Sequence, residues 1–146
     1  MNPMACVKHP LLTIRSALKR RYVQEMSGVV DKWQLTGMEV DVLLFLGNNP
    51  GYDTASDMVA LCQLTKSHVS KAVEHLTELG YITQQRDQQN RRKVHLLLTE
   101  SAAPVLKAGQ TAQKRFVDVL TRGLSEEDKI TMKRILETIA RNAVEE

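Results

Sequence analysis

Two groups of side chains in this sequence are suited to gripping a polyanion. The first is Thr65, Lys66, Ser67 and His68, followed by Ser70 and Lys71. Their hydroxyl, imidazole and ammonium groups can donate to phosphate oxygens and base edges. A helix starting there would add its unpaired first-turn N–H groups and the positive end of its dipole. The second is Arg86 with Asn90, Arg91, Arg92 and Lys93, where adjacent guanidiniums suit phosphate and narrow-groove contacts. From Leu64 to Lys93 six Lys and Arg residues face three acidic ones, Glu74, Glu78 and Asp87. The difference is +3, equal to the formal net charge of the whole chain. A polar helix face is usually just solvated, and an Arg-rich loop is often only a soluble hairpin tip. The first-turn placement and the coupling of the two clusters favour a polyanionic ligand instead.

Other chemistries find less support. No G-x-S-x-G, H-E-x-x-H or G-x-G-x-x-G run occurs, so the expectation is a protein that is not an enzyme and needs no cofactor. His68 and His75 lie two turns apart on one helix flank, and His9 and His95 add no metal-ligand spacing, so no metal site is expected. The two cysteines, Cys6 and Cys62, are too few for a disulfide framework. Cys62 reads as a small, half-buried core residue. No apolar run approaches the ~20 residues of a membrane helix, and the first twelve residues lack the pattern of a signal peptide, so a cytoplasmic location without membrane contact is expected.

Helices must position these clusters. A first helix is expected over about 10–31, with Ile14, Leu18, Tyr22, Met26 and Val29 at helical spacing. Thr36 and Glu39 form a capping-box pattern before Val40 to Leu46, apolar nearly all round as in a central buried helix. Thr54 and Asp57 cap a short helix through about Leu61, and Thr65 caps the next, over 66–79. There Val69, Ala72, Val73, Leu76 and Leu79 form one stripe, opposite Ser67, Ser70, Lys71, Glu74 and Glu78. Gly80 ends it. Tyr81 to Arg86 and Lys93 to Leu98 read as a hairpin around a polar tip. Thr99 caps a helix carrying Val105, Ala112 and Phe116, and Ser125 with Asp128 starts a last one striped by Met132, Ile135, Leu136 and Ile139. A chain of 146 residues suits one core, so residues 1–146 are expected to fold as one unit.

This order resembles the MarR family of bacterial and archaeal transcriptional regulators over nearly the whole chain. The most specific part is the wing, where Asp87-Gln88-Gln89-Asn90-Arg91-Arg92, then Val94 and Leu98-Thr99-Glu100, is similar to the family's D-P-x-D-R-R…V…L-T-E pattern. Gln88 stands where the family has Pro, Asn90 where it has a second Asp, and Ala102 where Gly commonly follows. These bear on turn rigidity, tip charge and the strand-to-helix corner. The resemblance implies a mainly α fold with a small β-hairpin wing: a winged helix-turn-helix DNA-binding lobe over about 36–99 and a helical dimerisation lobe from about 10–31 and 100–144. It implies a homodimer on a double-stranded DNA operator, with helix 66–79 in the major groove and wing 86–93, led by Arg91, in the minor groove. Repression relieved by a small aromatic or phenolic effector is the commoner family outcome. A branch that senses organic peroxides with a cysteine near the N-terminus makes Cys6, beside Lys8, the candidate redox site. The alternative is a winged-helix module that docks on proteins and reads no DNA, which would not need the basic concentration at 64–93.

Overall fold

The computed structural model of the protein describes residues 9–62 and 64–145. Helix α1, Pro10–Trp33, opens with proline in its first turn and with the His9 ring accepting from the Leu11 N–H. It buries only Met26 and Val29, and stops where Gln34 turns left-handed at φ 53°. Helix α2, Gly37–Asn48, starts from the expected capping box: the Thr36 N–H donates to Glu39 Oε2 at 2.8 Å, and the Glu39 N–H to Thr36 Oγ1 at 3.2 Å. Val40 and Val42 to Phe45 are buried, which makes α2 the central post of the molecule.

Helix α3, Ala55–Cys62, is capped reciprocally by Thr54 and Asp57. Helix α4, Lys66–Glu78, lays Val69, Ala72, Val73 and Leu76 against α2 and α3. Gly80, at φ 81°, supplies the left-handed residue that turns the chain into the hairpin, where an L side chain would be strained. Strands β1, Ile82–Arg86, and β2, Val94–Leu98, pair antiparallel with Ile82 opposite Leu98 and Arg86 opposite Val94. The Leu96 N–H reaches past this ladder to the Asp53 carbonyl at 2.8 Å, tying the hairpin to the loop before α3.

A 3-10 turn, Glu100–Ala102, leads into α5, Ala103–Leu120, and α6, Glu126–Val144, follows from a Ser125–Asp128 capping box. Helix α5 approaches α2 closely. A Cβ on Gly109 would meet the Leu44 side chain at 3.0 Å, and one on Gly47 would fall inside Leu106. Tyr22 and Phe116 close the α1–α5 seam edge to face, with ring centroids 5.3 Å apart. The core therefore lies among α2, α4, the hairpin and the inner faces of α1 and α5. No residue of α6 is buried, and Ile130 is 72% exposed.

Three local expectations need correction. Thr65 occupies the N-cap position, but its hydroxyl makes no capping bond. Thr99 likewise caps nothing; its hydroxyl donates to the Gly80 carbonyl, which pins the end of β2 to the α4–β1 turn. Leu79 leaves the stripe, 47% exposed, because it follows the last turn of α4. At the strand-to-helix corner Ala102 is fully buried with φ −75°, so no glycine is required there.

Candidate nucleic-acid interface

The first cluster sits where α4 begins. Thr65, Lys66, Ser67 and His68 form its cap and first turn, with Ser70 and Lys71 in the next, and all six are exposed. Because no side chain caps this end, its N–H groups stay open toward any anion that approaches. Burial of Val69, Ala72, Val73 and Leu76 fixes which face of α4 looks outward.

The second cluster is held by a network that the hairpin tip builds for itself. Asp87 Oδ1 accepts from the Gln89 and Asn90 N–H groups at 2.8 and 2.9 Å, and Asn90 Oδ1 accepts from the Arg92 N–H at 3.2 Å. Backbone bonds from Asp87 to Lys93 and from Lys93 to Asn90 close the turn. These side-chain bonds supply rigidity that the missing proline would otherwise give. The Arg86 guanidinium donates to the Arg91 carbonyl at 3.1 Å, so this cation braces the tip from inside. Arg91, Arg92 and Lys93 are exposed. Among the described residues, none of Lys66, Lys71, Arg86, Arg91, Arg92 and Lys93 forms a salt bridge, whereas Arg21, Lys114, Arg115, Lys129 and Lys133 on the other helices do.

Sequence reasoning passed over His95. Its Nε2 lies 2.8 Å from Asp87 Oδ2 and its Nδ1 2.8 Å from Asp53 Oδ1, so the ring spans from the wing to the loop before α3. The bond from Asp87, then that from Asp53, raises the His95 pKa. The same contact with His95, aided by the two backbone N–H donors, pulls Asp87 down to about 2. The hairpin register could have hinted at the Asp87 contact. Asp53 lies 42 residues away, and no local pattern points to it.

A second network joins the winged lobe to α1 and α5. Tyr22 donates to Asp41 at 3.2 Å and accepts from Gln113 at 3.3 Å. Burial, then the Asp41 charge, pushes Tyr22 up to about 12, and burial raises Asp41. These residues, with Phe45, Met58, Cys62 and others, line a cavity of about 370 Å³. Cys62 is exposed at the end of α3, not half-buried in the core, because α3 ends at the protein surface. Partial desolvation of its thiol, then Asp41, still raises its pKa. Cys6 lies outside the described residues. Among those described, no three His, Cys, Asp or Glu side chains converge on a metal position, and no helix is long and apolar enough to cross a membrane.

The model of the MarR family matches residues 33–93, from the end of α1 through the wing. That span, which holds the winged lobe, is similar to the MarR family. The whole chain has the MarR fold as well. It superposes on a putative MarR-family regulator from Listeria monocytogenes complexed with 26mer DNA at TM-score 0.80 and 15% identity, covering 93% of this chain and 89% of that one. Against the Staphylococcus aureus MepR–DNA complex the values are 0.76 and 20%, with 92% and 99% covered. Against Bordetella bronchiseptica BpsR, described as regulated in DNA binding by 6-hydroxynicotinic acid, they are 0.70 and 17%, with 90% and 99% covered. A search of the curated proteins finds no match. At these identities the superpositions establish the MarR fold and leave the residues of this chain to be argued from their own geometry.

Proposed function

We propose that this MarR-type protein is a sequence-specific, double-stranded DNA-binding regulator of transcription. It places α4 in the major groove and wing residues 86–93 in the minor groove. The observation that carries this reading is the set of six cations on α4 and the wing with no carboxylate partner, displayed on a lobe of the kind that two relatives present in complexes with DNA. Thr65, Ser67, His68 and Ser70 add neutral donors on the same turns, and the Asn90 amide adds one at the wing. The reading makes the chain a binding protein with no catalytic role.

Binding as a homodimer follows from the apolar side chains that one chain leaves uncovered. Leu11, Leu12 and Ile14 on α1, and Ile130, Ile135, Leu136 and Ile139 on α6, are all partly or largely exposed. A second copy offers the same surfaces and would cover them by two-fold symmetry. Two winged lobes so related would read half-sites roughly 34 to 36 Å apart. Repression relieved by a small effector is the regulatory form we favour, with the cavity at Tyr22, Asp41 and Gln113 as the effector site. Its lining holds Asp41 and no Lys or Arg, which suits a neutral phenol better than an aromatic acid. The test is a footprint on the DNA flanking the protein's own gene, repeated at rising salt. A protected two-fold site whose affinity falls steeply with salt is expected. Salt-insensitive binding, or none, would leave the protein-docking module as the better reading.

A further inference from the structure

The geometry of the Asp53–His95–Asp87 bridge depends on a single proton. A neutral imidazole has one N–H, and its other nitrogen is a lone pair. Here both ring nitrogens stand 2.8 Å from carboxylate oxygens, an arrangement that only the doubly protonated ring satisfies with two donors. Without the second proton, one lone pair would point at a carboxylate.

The bridge is also placed so that its loss would be felt where DNA is read. On one side, Asp53 belongs to the loop before α3, whose backbone carbonyl already holds Leu96 of β2. On the other, the same Asp87 side chain that takes the imidazole bond orders the Gln89 and Asn90 N–H groups, one residue before Arg91. We propose that His95 is a positioning residue for the wing: as an imidazolium it ties Asp87 to Asp53, and losing its proton loosens the wing and weakens DNA binding. The role rests on the DNA-binding reading above.

Asp53 and Asp87 face the two nitrogens of the His95 ring, and Arg86, which shares a surface hollow with it, is committed to the Arg91 carbonyl. On α3, Asp57 is taken up by Thr54. From β1 the residue in register is the uncharged Gln85. His95 has a pKa raised in the folded protein, so the tie is complete below the ordinary histidine value and is lost as pH rises through the raised one. Asp87, held near 2, stays ionised throughout that window.

The experiment has two arms on the full chain. In the first, nitrogen NMR of the free wild-type protein follows the His95 ring from about pH 6 to about pH 9. A second ring proton lost only above the ordinary histidine value is expected, and one lost at or below it overturns the bridge. In the second, duplex affinity is measured over the same range for wild type, His95→Gln and Asp53→Asn, after melting curves confirm that each is folded. His68 and His75 are common to all three, so differences report the bridge. Wild-type affinity should fall across the window by roughly fivefold more than that of His95→Gln. In Asp53→Asn the fall should begin at lower pH. Identical pH profiles for wild type and both variants overturn the positioning role. A second ring proton lost only above the ordinary value in a protein that binds no duplex at any pH overturns the DNA-binding reading and the role built on it, while one lost at or below that value in a protein that binds DNA overturns the bridge alone.

Discussion

Replacing Arg91 by alanine should cut operator affinity without touching the fold. The side chain is exposed at the wing tip, where its guanidinium pairs with no described carboxylate, and its backbone carbonyl, which accepts from Arg86, survives the substitution. Nothing buried is lost, so the melting temperature should stay within the scatter of ordinary surface changes. For DNA, a guanidinium in a narrow minor groove meets an enhanced negative potential, and one good specific contact is worth about 1 to 3 kcal/mol. At room temperature that is a loss of roughly 5- to 150-fold for one wing. Two wings engaged on one two-fold site double the free energy, to about 2 to 6 kcal/mol. Arg91→Lys should recover only part, because an ammonium keeps the charge but lacks the planar fork and is more strongly hydrated. Arg86→Ala gives a useful contrast: it removes the 3.1 Å brace to Arg91, and so should loosen the tip as well as lower the charge. The assay is fluorescence anisotropy with an operator duplex and a version carrying a G·C-rich flank, at one fixed salt concentration. If Arg91→Ala bound both duplexes as tightly as wild type, the wing would be an ordinary solvated loop and the reasoning would fail.

Three other outcomes are expected. Lys66→Ala and Lys71→Ala should each weaken binding to all duplexes alike and reduce the salt slope by about one unit per lost phosphate contact; an unchanged slope in a titration series removes that lysine from the interface. Truncation before Ser125 deletes α6, which buries nothing within its own chain, so the remainder should keep its winged core but sediment as a monomer or aggregate; a truncated chain that stayed dimeric would refute the α6 interface. The Cys62 thiol, exposed yet with a raised pKa, should alkylate more slowly than a model thiol at neutral pH and catch up only as pH rises through its raised value, a profile that iodoacetamide kinetics followed by mass spectrometry can check.

What could be seen in the sequence and what could not divide along the range of the interactions involved. The caps at Thr36, Thr54 and Ser125 were legible because each is a bond between residues three apart, and the left-handed turn at Gly80 was legible because one residue type dominates such positions. At Thr65 the same rule misled. An N-cap residue has the extended backbone in either case, but whether its hydroxyl turns to the helix or to solvent is a rotamer choice that sequence does not encode. Exposure of Cys62 could not be read from its place between Leu61 and Gln63, because the end of a short helix is decided by what packs beside it. The eleven candidate residues on α4 and the wing were found from type and spacing, and the structure places every one of them in the open. Their spacing said nothing about His95, whose partner at Asp53 is set by how the hairpin lies against the loop before α3. The α6 stripe shows the same limit from the other side. Periodicity makes Met132, Ile135, Leu136 and Ile139 one apolar face, and the fold leaves Ile135, Leu136 and Ile139 of it exposed on their own chain. An amphipathic helix of 19 residues keeps its apolar face out of water only if something packs on it. The same helix on a second copy is the one such surface certain to be present wherever this chain is made, which is why the sedimentation of the truncated chain is the measurement that bears most directly on assembly.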